Sequence, residues 1–267
     1  MNLGIKDRVA IVTGGSAGIG LAVVEEFLEN GAQVCVVARN EERLLASIRT
    51  LKVTSERVLA IVADVADPPS AVSIVDQTIN NFGQLDILVN NAGRAHAGGL
   101  MSSTEDDWED MTAVKLAAMR RLCKAAIPAM RARRWGRIVN MSSIGGVYPN
   151  PKLLISHVLS AAINNFTKSV ALEVASDGIL VNAIGIGAVT TDNWAANMIP
   201  ALRRTRPDLV DLSDEQILVK VGAERTPIGR VGDPREIAAL AAFLASARNG
   251  FVTGDTIEAS GGADRFM

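Results

Sequence analysis

The sequence predicts one α/β domain built on a parallel sheet, and three observations carry that reading. Apolar runs of strand length alternate with segments of helical periodicity along the 267 residues. The first such run, residues 9–12, feeds a glycine-rich turn, Thr13-Gly14-Gly15-Ser16-Ala17-Gly18-Ile19-Gly20, from which an apolar-periodic stretch at 21–28 emerges. The hydrophobic content of 48% is enough for a substantial core.

The turn can be read in two ways. Glycines at these spacings let the backbone turn tightly and approach a ligand, and the N–H groups opening the following helix face outward, which suits a pyrophosphate. Taken alone, the same residues also make an ordinary glycine-rich β–α connection.

After the first helix, Asn30-Gly31 gives a stop signal, and Gln33–Ala38 reads as a second buried strand. This completes a β–α–β unit. A carboxylate ending the second strand of such a unit binds a ribose 2′-hydroxyl, whereas an arginine accommodates a 2′-phosphate. Here the stretch is Ala38-Arg39-Asn40: Arg39 either favours NADP(H) over NAD(H) through charge and forked hydrogen bonding or is a surface arginine with no ligand. Val58–Val62 is a third strand, followed by Ala63-Asp64-Val65; Asp64 either accepts from an adenine amino group or caps the following turn. Asp67-Pro68 reads as a helix start. Residues 85–89 form a fourth strand running into Asn90-Asn91-Ala92-Gly93, where amides can tie strands together and small residues leave room for a ribose; on spacing alone the segment equally fits a structural turn. Gly136–Ser143 is a fifth strand, residues 164–174 lie within a long helix, and 180–184 is a sixth strand. The irregular region from 190 to 230, with Trp194, Met198, Ile199 and Leu202 among many charges, reads as a lid. Ser213-Asp214-Glu215-Gln216 resembles a capping box within it. Asp233-Pro234 opens a helix through Ala245, and residues 255–259 make the last strand.

Composition excludes some functions. Basic and acidic residues are interspersed and the formal net charge is −2 at pH 7, which argues against a nucleic-acid partner; Arg131-Ala132-Arg133-Arg134 reads as a solvated helix end. No apolar run approaches the roughly 20 residues of a membrane span, and the first residues lack a signal peptide's charged and apolar regions. The expectation is a cytoplasmic protein without a membrane partner. Cys35 and Cys123 have no paired spacing and read as buried thiols, with no metal site expected.

In this order the pieces resemble the short-chain dehydrogenase/reductase family over essentially the whole chain, especially its β-ketoacyl-carrier-protein-reductase-like branch. Residues 13–20 match the family's TGxxxGIG loop, 90–93 its NNAG motif and Ser143 its catalytic serine. Asn182, Gly187 and Thr191 match the segment that closes over the nicotinamide, with Ile186 in place of the usual proline. The resemblance implies a Rossmann-type, doubly wound, seven-stranded parallel sheet in the order 3-2-1-4-5-6-7. Usually the assembly is a tetramer, here through helices carrying Met119, Leu122, Ile163, Phe166 and Val170, some of which must serve the core. Implied cofactor contacts are Gly14, Ser16, Gly18, Ile19, Gly20, Asp64, Val65, Asn91, Ala92, Gly93, Val189 and Thr191, besides Arg39.

The departure from the family lies where its chemistry sits. The usual tyrosine and lysine positions hold Ser156 and Ser160, and the active-site asparagine position holds Lys115; the register is fixed by the ungapped helix that follows. Serine is a poor general acid, and loss of acid–base assistance costs about 10²–10⁴-fold. Lys115 is either a solvent-facing helix lysine or, in a partly dry pocket, a group that stabilises a developing oxyanion, with Ser143 as a second donor and Ser156 as a weaker candidate. His96 borders the substrate pocket by resemblance, whereas His157 reads as a packed helix residue. The leading expectation is an NADP(H)-dependent reductase of a ketone, thioester or activated double bond. The alternatives are an inactive nucleotide-binding or scaffold protein and a non-redox lyase or isomerase.

Overall fold

The computed structural model describes residues 2–51, 54–94, 96–191 and 198–264. Trp194, read above as part of a lid, falls outside them. Seven strands, β1 (Val9–Thr13), β2 (Gln33–Ala38), β3 (Val58–Val62), β4 (Ile87–Asn90), β5 (Gly136–Ser143), β6 (Ile179–Ile186) and β7 (Thr256–Ala259), form one sheet. Their order is β3-β2-β1-β4-β5-β6-β7 and every pairing is parallel, as the resemblance implies.

Side chains alternate across a strand, so each apolar strand feeds two cores. Ala10, Val12, Val34 and Val36 pack with Val23, Val24 and Phe27 of α1 (Gly18–Glu29) and Ile237 and Ala241 of α9 (Pro234–Leu244). Ile11, Cys35, Val37 and Leu88 face the other way, onto α3 (Ser70–Phe82), α5 (Ala118–Ala132) and α6 (Leu154–Val174). Buried Asp86 anchors the amino end of the sheet, accepting from the Val9 N–H (2.9 Å), Arg8 (2.9 Å) and Gln84 (2.8 Å). Trp135 lies between the guanidinium groups of Arg8 and Arg137, at 3.9 and 4.4 Å from its ring centroid.

Several boundaries move. Helix α1 begins at Gly18, inside the glycine turn, and α2 (Glu41–Thr50) arises where no helix was read, capped by the Asn40 side chain accepting from the Arg43 N–H. Asp67-Pro68 lies in a turn ahead of α3. Met119, Leu122 and Ile163 serve the core of this chain rather than an outer face; among the apolar residues of α6, Val158 and Leu172 are exposed. The basic run ends α5 as expected, with Arg131 on Asp177 and Arg133 on Asp86. Cys35 and Cys123 are buried free thiols, both pushed up to about 12 by burial. Among the described residues no helix is long and apolar enough to cross a membrane.

Between β6 and α9, α7 (Ile199–Thr205) and α8 (Asp214–Arg225) enclose a small core of Ile199, Leu209, Ile217 and Val221. Ser213 and Gln216 form the expected capping box, and Arg206 bridges Asp208 and Glu224.

Candidate active site

The site lies at the carboxyl ends of the strands, where the chain crosses from one side of β1 to the other. The glycine turn after β1 faces the Asn90-to-Gly93 segment after β4. Gly14 has φ +65°, and a Cβ there would lie 3.0 Å from the Ala92 Cα; one on Gly20 would lie 2.2 Å from the Gly14 carbonyl oxygen. Only glycine fits at either place. The Asn91 amide locks the arrangement, donating to the Thr13 (2.9 Å) and Gly14 (3.1 Å) carbonyls, while the Asn91 N–H donates to Thr13 Oγ1 (3.0 Å). Asn90 donates to Asn140 Oδ1 (2.8 Å), tying β4 to β5. Helix α1 carries no side-chain cap, unlike α8 and α9 with their capping boxes, so among the described residues no N-cap side chain takes up its first N–H groups.

A cavity of about 610 Å³ runs from this turn to the ends of β5 and β6. It brings together eleven expected residues: Gly14, Gly18, Ile19, Gly20, Asn91, Ala92, Gly93, Lys115, Ser143, Ser156 and Thr191. Gly187 and Ile186 also line it.

Lys115 sits in a π-helical turn, Ala113–Ala117, between α4 (Glu105–Thr112) and α5. Such a one-residue widening re-aims the side chains it carries. The Lys115 stem lies along Gly93, where a Cβ would come within 3.4 Å of its Cγ. Burial pulls the amine down to about 8 from the ordinary lysine range. Among the described residues it makes no hydrogen bond or ion pair.

Ser143 ends β5, and its hydroxyl accepts from the Gly145 N–H (3.1 Å). The His157 ring packs on Gly145, whose hypothetical Cβ would lie 2.2 Å from the His157 Cδ2, and His157 Nδ1 accepts from the Asn150 N–H (2.8 Å). Burial, then the nearby Lys115 charge, holds His157 below its ordinary pKa. The buried Ser156 hydroxyl accepts from the His96 N–H (2.7 Å), and Ser160 donates to the Ser156 carbonyl (2.8 Å). Ser160 is therefore a helix-packing residue, and Ser156 holds the loop that follows Gly93.

Five further expected contacts, Arg39, Ser16, Asp64, Val65 and Val189, are not among the residues that line this cavity. Arg39 donates to Asp64 (3.5 Å), and the Asp64 carboxylate accepts from the Ala66 N–H (2.9 Å), the turn-capping alternative. The Val65 side chain is buried in the core below α3. Val189 is buried too, bridged to Gly232 and lining a separate cavity. Asn182 holds the loop before β7, donating to the Val252 carbonyl (2.8 Å) and accepting from the Asp255 N–H (3.2 Å). The His96 ring points to Ser103 (3.4 Å) and Asp107 (3.7 Å), away from the lining set. Arg43, in the first turn of α2, lines the cavity and was missed; a basic residue just after an N-cap that follows β2 was the available signal.

Comparisons with known proteins agree with this geometry. The short chain dehydrogenase family matches residues 8–199. The chain is 35% identical over 260 residues to a 3-oxoacyl-[acyl-carrier-protein] reductase, FabG, of Vibrio cholerae, covering 97% of this chain and 98% of that one. It is 33% identical over 267 residues to the (2S)-[(R)-hydroxy(phenyl)methyl]succinyl-CoA dehydrogenase subunit BbsD of Thauera aromatica, covering 99% of each. The L-sorbose reductase of Gluconobacter frateurii, solved with NADPH and L-sorbose, superposes with a TM-score of 0.91 at 35% identity over 100% of both chains.

Proposed function

The chain belongs to the short chain dehydrogenase family, and we propose that it is an NADP(H)-dependent oxidoreductase that reduces a carbonyl or activated double bond at an atypical active site. The observation that carries this reading is the single cavity joining the glycine turn to Lys115, Ser143 and Ser156. The residues fit a dinucleotide: the Gly14 and Gly20 positions exclude any side chain, and the uncapped start of α1 offers its N–H groups to a pyrophosphate. Arg43 lines the cavity, and Arg39, paired with Asp64, stands just after β2; a guanidinium at either place can pair with an adenosine phosphate. The cofactor is NADP(H), with NAD(H) the weaker ligand, consistent with the NADPH bound by the sorbose reductase.

When bound, the nicotinamide supplies the hydride. The chain's own residues then have to hold the substrate oxygen and deliver a proton. With Ser156 and Ser160 where the family's tyrosine and lysine stand, that task falls to Lys115, whose amine near 8 is both a cation and a competent acid around neutrality. Ser143 donates a second hydrogen bond to the same oxygen, its position fixed by Gly145 and His157. Ser156 acts through the loop it holds.

The relatives' names point to ketones and acyl thioesters as the substrate class. The region read as a lid covers the substrate end of the cavity in this reading; its part at 198–230 has a small core of its own around Ile199, Leu209, Ile217 and Val221. A cytoplasmic homotetramer remains the expected assembly, with Val158 and Leu172 offered by α6. The test is to mix the protein with NADPH and a panel of ketones, enones and enoyl thioesters and follow cofactor absorbance. Turnover of at least one class is expected. Tight NADPH binding with no turnover across the panel would leave a nucleotide-binding protein instead.

A further inference from the structure

We propose that Lys115 is a carbonyl-capturing amine, condensing reversibly with an aldehyde or ketone in the cavity to form an imine. This goes beyond hydride transfer, since it needs only the amine, the cavity and a carbonyl compound. Three observations carry it. The Lys115 stem is laid along Gly93, with Cγ, Cε and Cδ at 3.4, 3.8 and 3.9 Å from where a Cβ would stand, so the backbone of the Asn90-to-Gly93 segment fixes the course of the stem by van der Waals contact. Among the described residues the amino group has no hydrogen-bond or ion-pair partner, whereas the neighbouring Arg94 is engaged by Asp110. Among the described residues lining the cavity the other charged or titratable side chains are Arg43, Arg94 and His157, with no carboxylate to hold an ammonium.

An environment that disfavours the ammonium favours the free amine, which is the nucleophile. Its lone pair adds to the carbonyl carbon as the carbonyl π pair moves to oxygen, and the oxygen takes a proton to give a carbinolamine. Loss of that hydroxyl with an amine proton releases water and leaves the imine; no oxidant or reductant is consumed. Ser143 and Ser156 line the same cavity and can pass the proton to the departing oxygen. With the amine near 8, its neutral fraction at pH 7.5 is more than about 100-fold that of an ordinary lysine.

The experiment treats the intact protein, without nucleotide, with benzaldehyde or cyclohexanone and sodium cyanoborohydride at pH 7.5, and maps the reductively alkylated lysines by peptide mass. Lys115 is expected to label at least about tenfold faster than exposed Lys124 and Lys168, and Lys115→Arg to lose only that adduct. Labelling of Lys115 no faster than of Lys124 or Lys168 overturns the proposal. The outcome is separable from the oxidoreductase reading. An unlabelled Lys115 alongside turnover that needs it removes the imine and keeps the oxyanion role. A labelled Lys115 with no NADPH turnover on any substrate does the reverse.

Discussion

Replacing Lys115 by Met should stabilise the protein while removing its chemistry. The amine titrates at about 8 in the fold and in the ordinary lysine range, near 10.5, when unfolded. A difference of this size corresponds to about 3 kcal/mol of unfavourable burial for the ammonium, and residual exposure reduces the realised cost to about 1–3 kcal/mol. The sign follows from proton counting. Between about 8 and 10.5 the unfolded chain binds more protons than the folded one, so wild-type stability rises with pH through that window. Below 8 the full cost is present, and the methionine variant, which keeps most of the stem, escapes it. At pH 7 the variant should be about 1–3 kcal/mol more stable, and melt higher by about 2–4 °C for each kcal/mol. The advantage should shrink as pH approaches 10.5. Urea titrations of nucleotide-free wild type and variant across pH 7 to 10.5 make the comparison. A difference that does not change with pH, or a variant less stable at pH 7, would mean that the ammonium is satisfied in the fold and would refute the reasoning.

Gly20→Ala places a methyl group 2.2 Å from the Gly14 carbonyl; calorimetry should show nucleotide affinity falling at least about tenfold, by displacement of the turn. Arg39→Leu together with Arg43→Leu should remove about 1.5–3 kcal/mol of NADPH affinity while changing NADH affinity much less; an equal effect on both would separate these arginines from the extra phosphate. His157 accepts the Asn150 N–H only when Nδ1 is unprotonated, and burial and Lys115 lower its pKa. Its contribution to stability should be complete above the ordinary histidine value of about 6.5 and be lost as pH falls below it. The pH dependence of the urea midpoint should flatten there in His157→Asn.

The sheet was legible because its signal is local. Uninterrupted apolar strands such as Gln33–Ala38, each followed by a turn and an amphipathic helix, leave few alternatives to a buried parallel sheet. The glycine turn and Asn91 were legible for the same reason: each residue type has a backbone task at its own position. Arg39, Asp64 and Val189 show the limit. Arg39 and Asp64 were read at strand ends and Val189 came from the family resemblance, yet where their side chains go depends on partners distant in sequence, Asp64 for Arg39 and Gly232 for Val189. Arg43 was missed because its exposure to the cavity depends on where α2 starts, and a helix boundary is set by the Asn40 cap rather than by periodicity. The depressed Lys115 amine could be expected from its register, but the widened helical turn that carries it left no mark in the sequence pattern.

The most direct test of the account compares kcat/KM for NADPH-dependent turnover in Lys115→Met and Ser156→Ala, on whichever substrate the panel yields. If Lys115 holds and protonates the substrate oxygen, its loss should lower kcat/KM about 10²-fold or more, whereas Ser156→Ala should lower it less than about tenfold. Unchanged turnover in Lys115→Met, with NADPH affinity intact, would contradict the account.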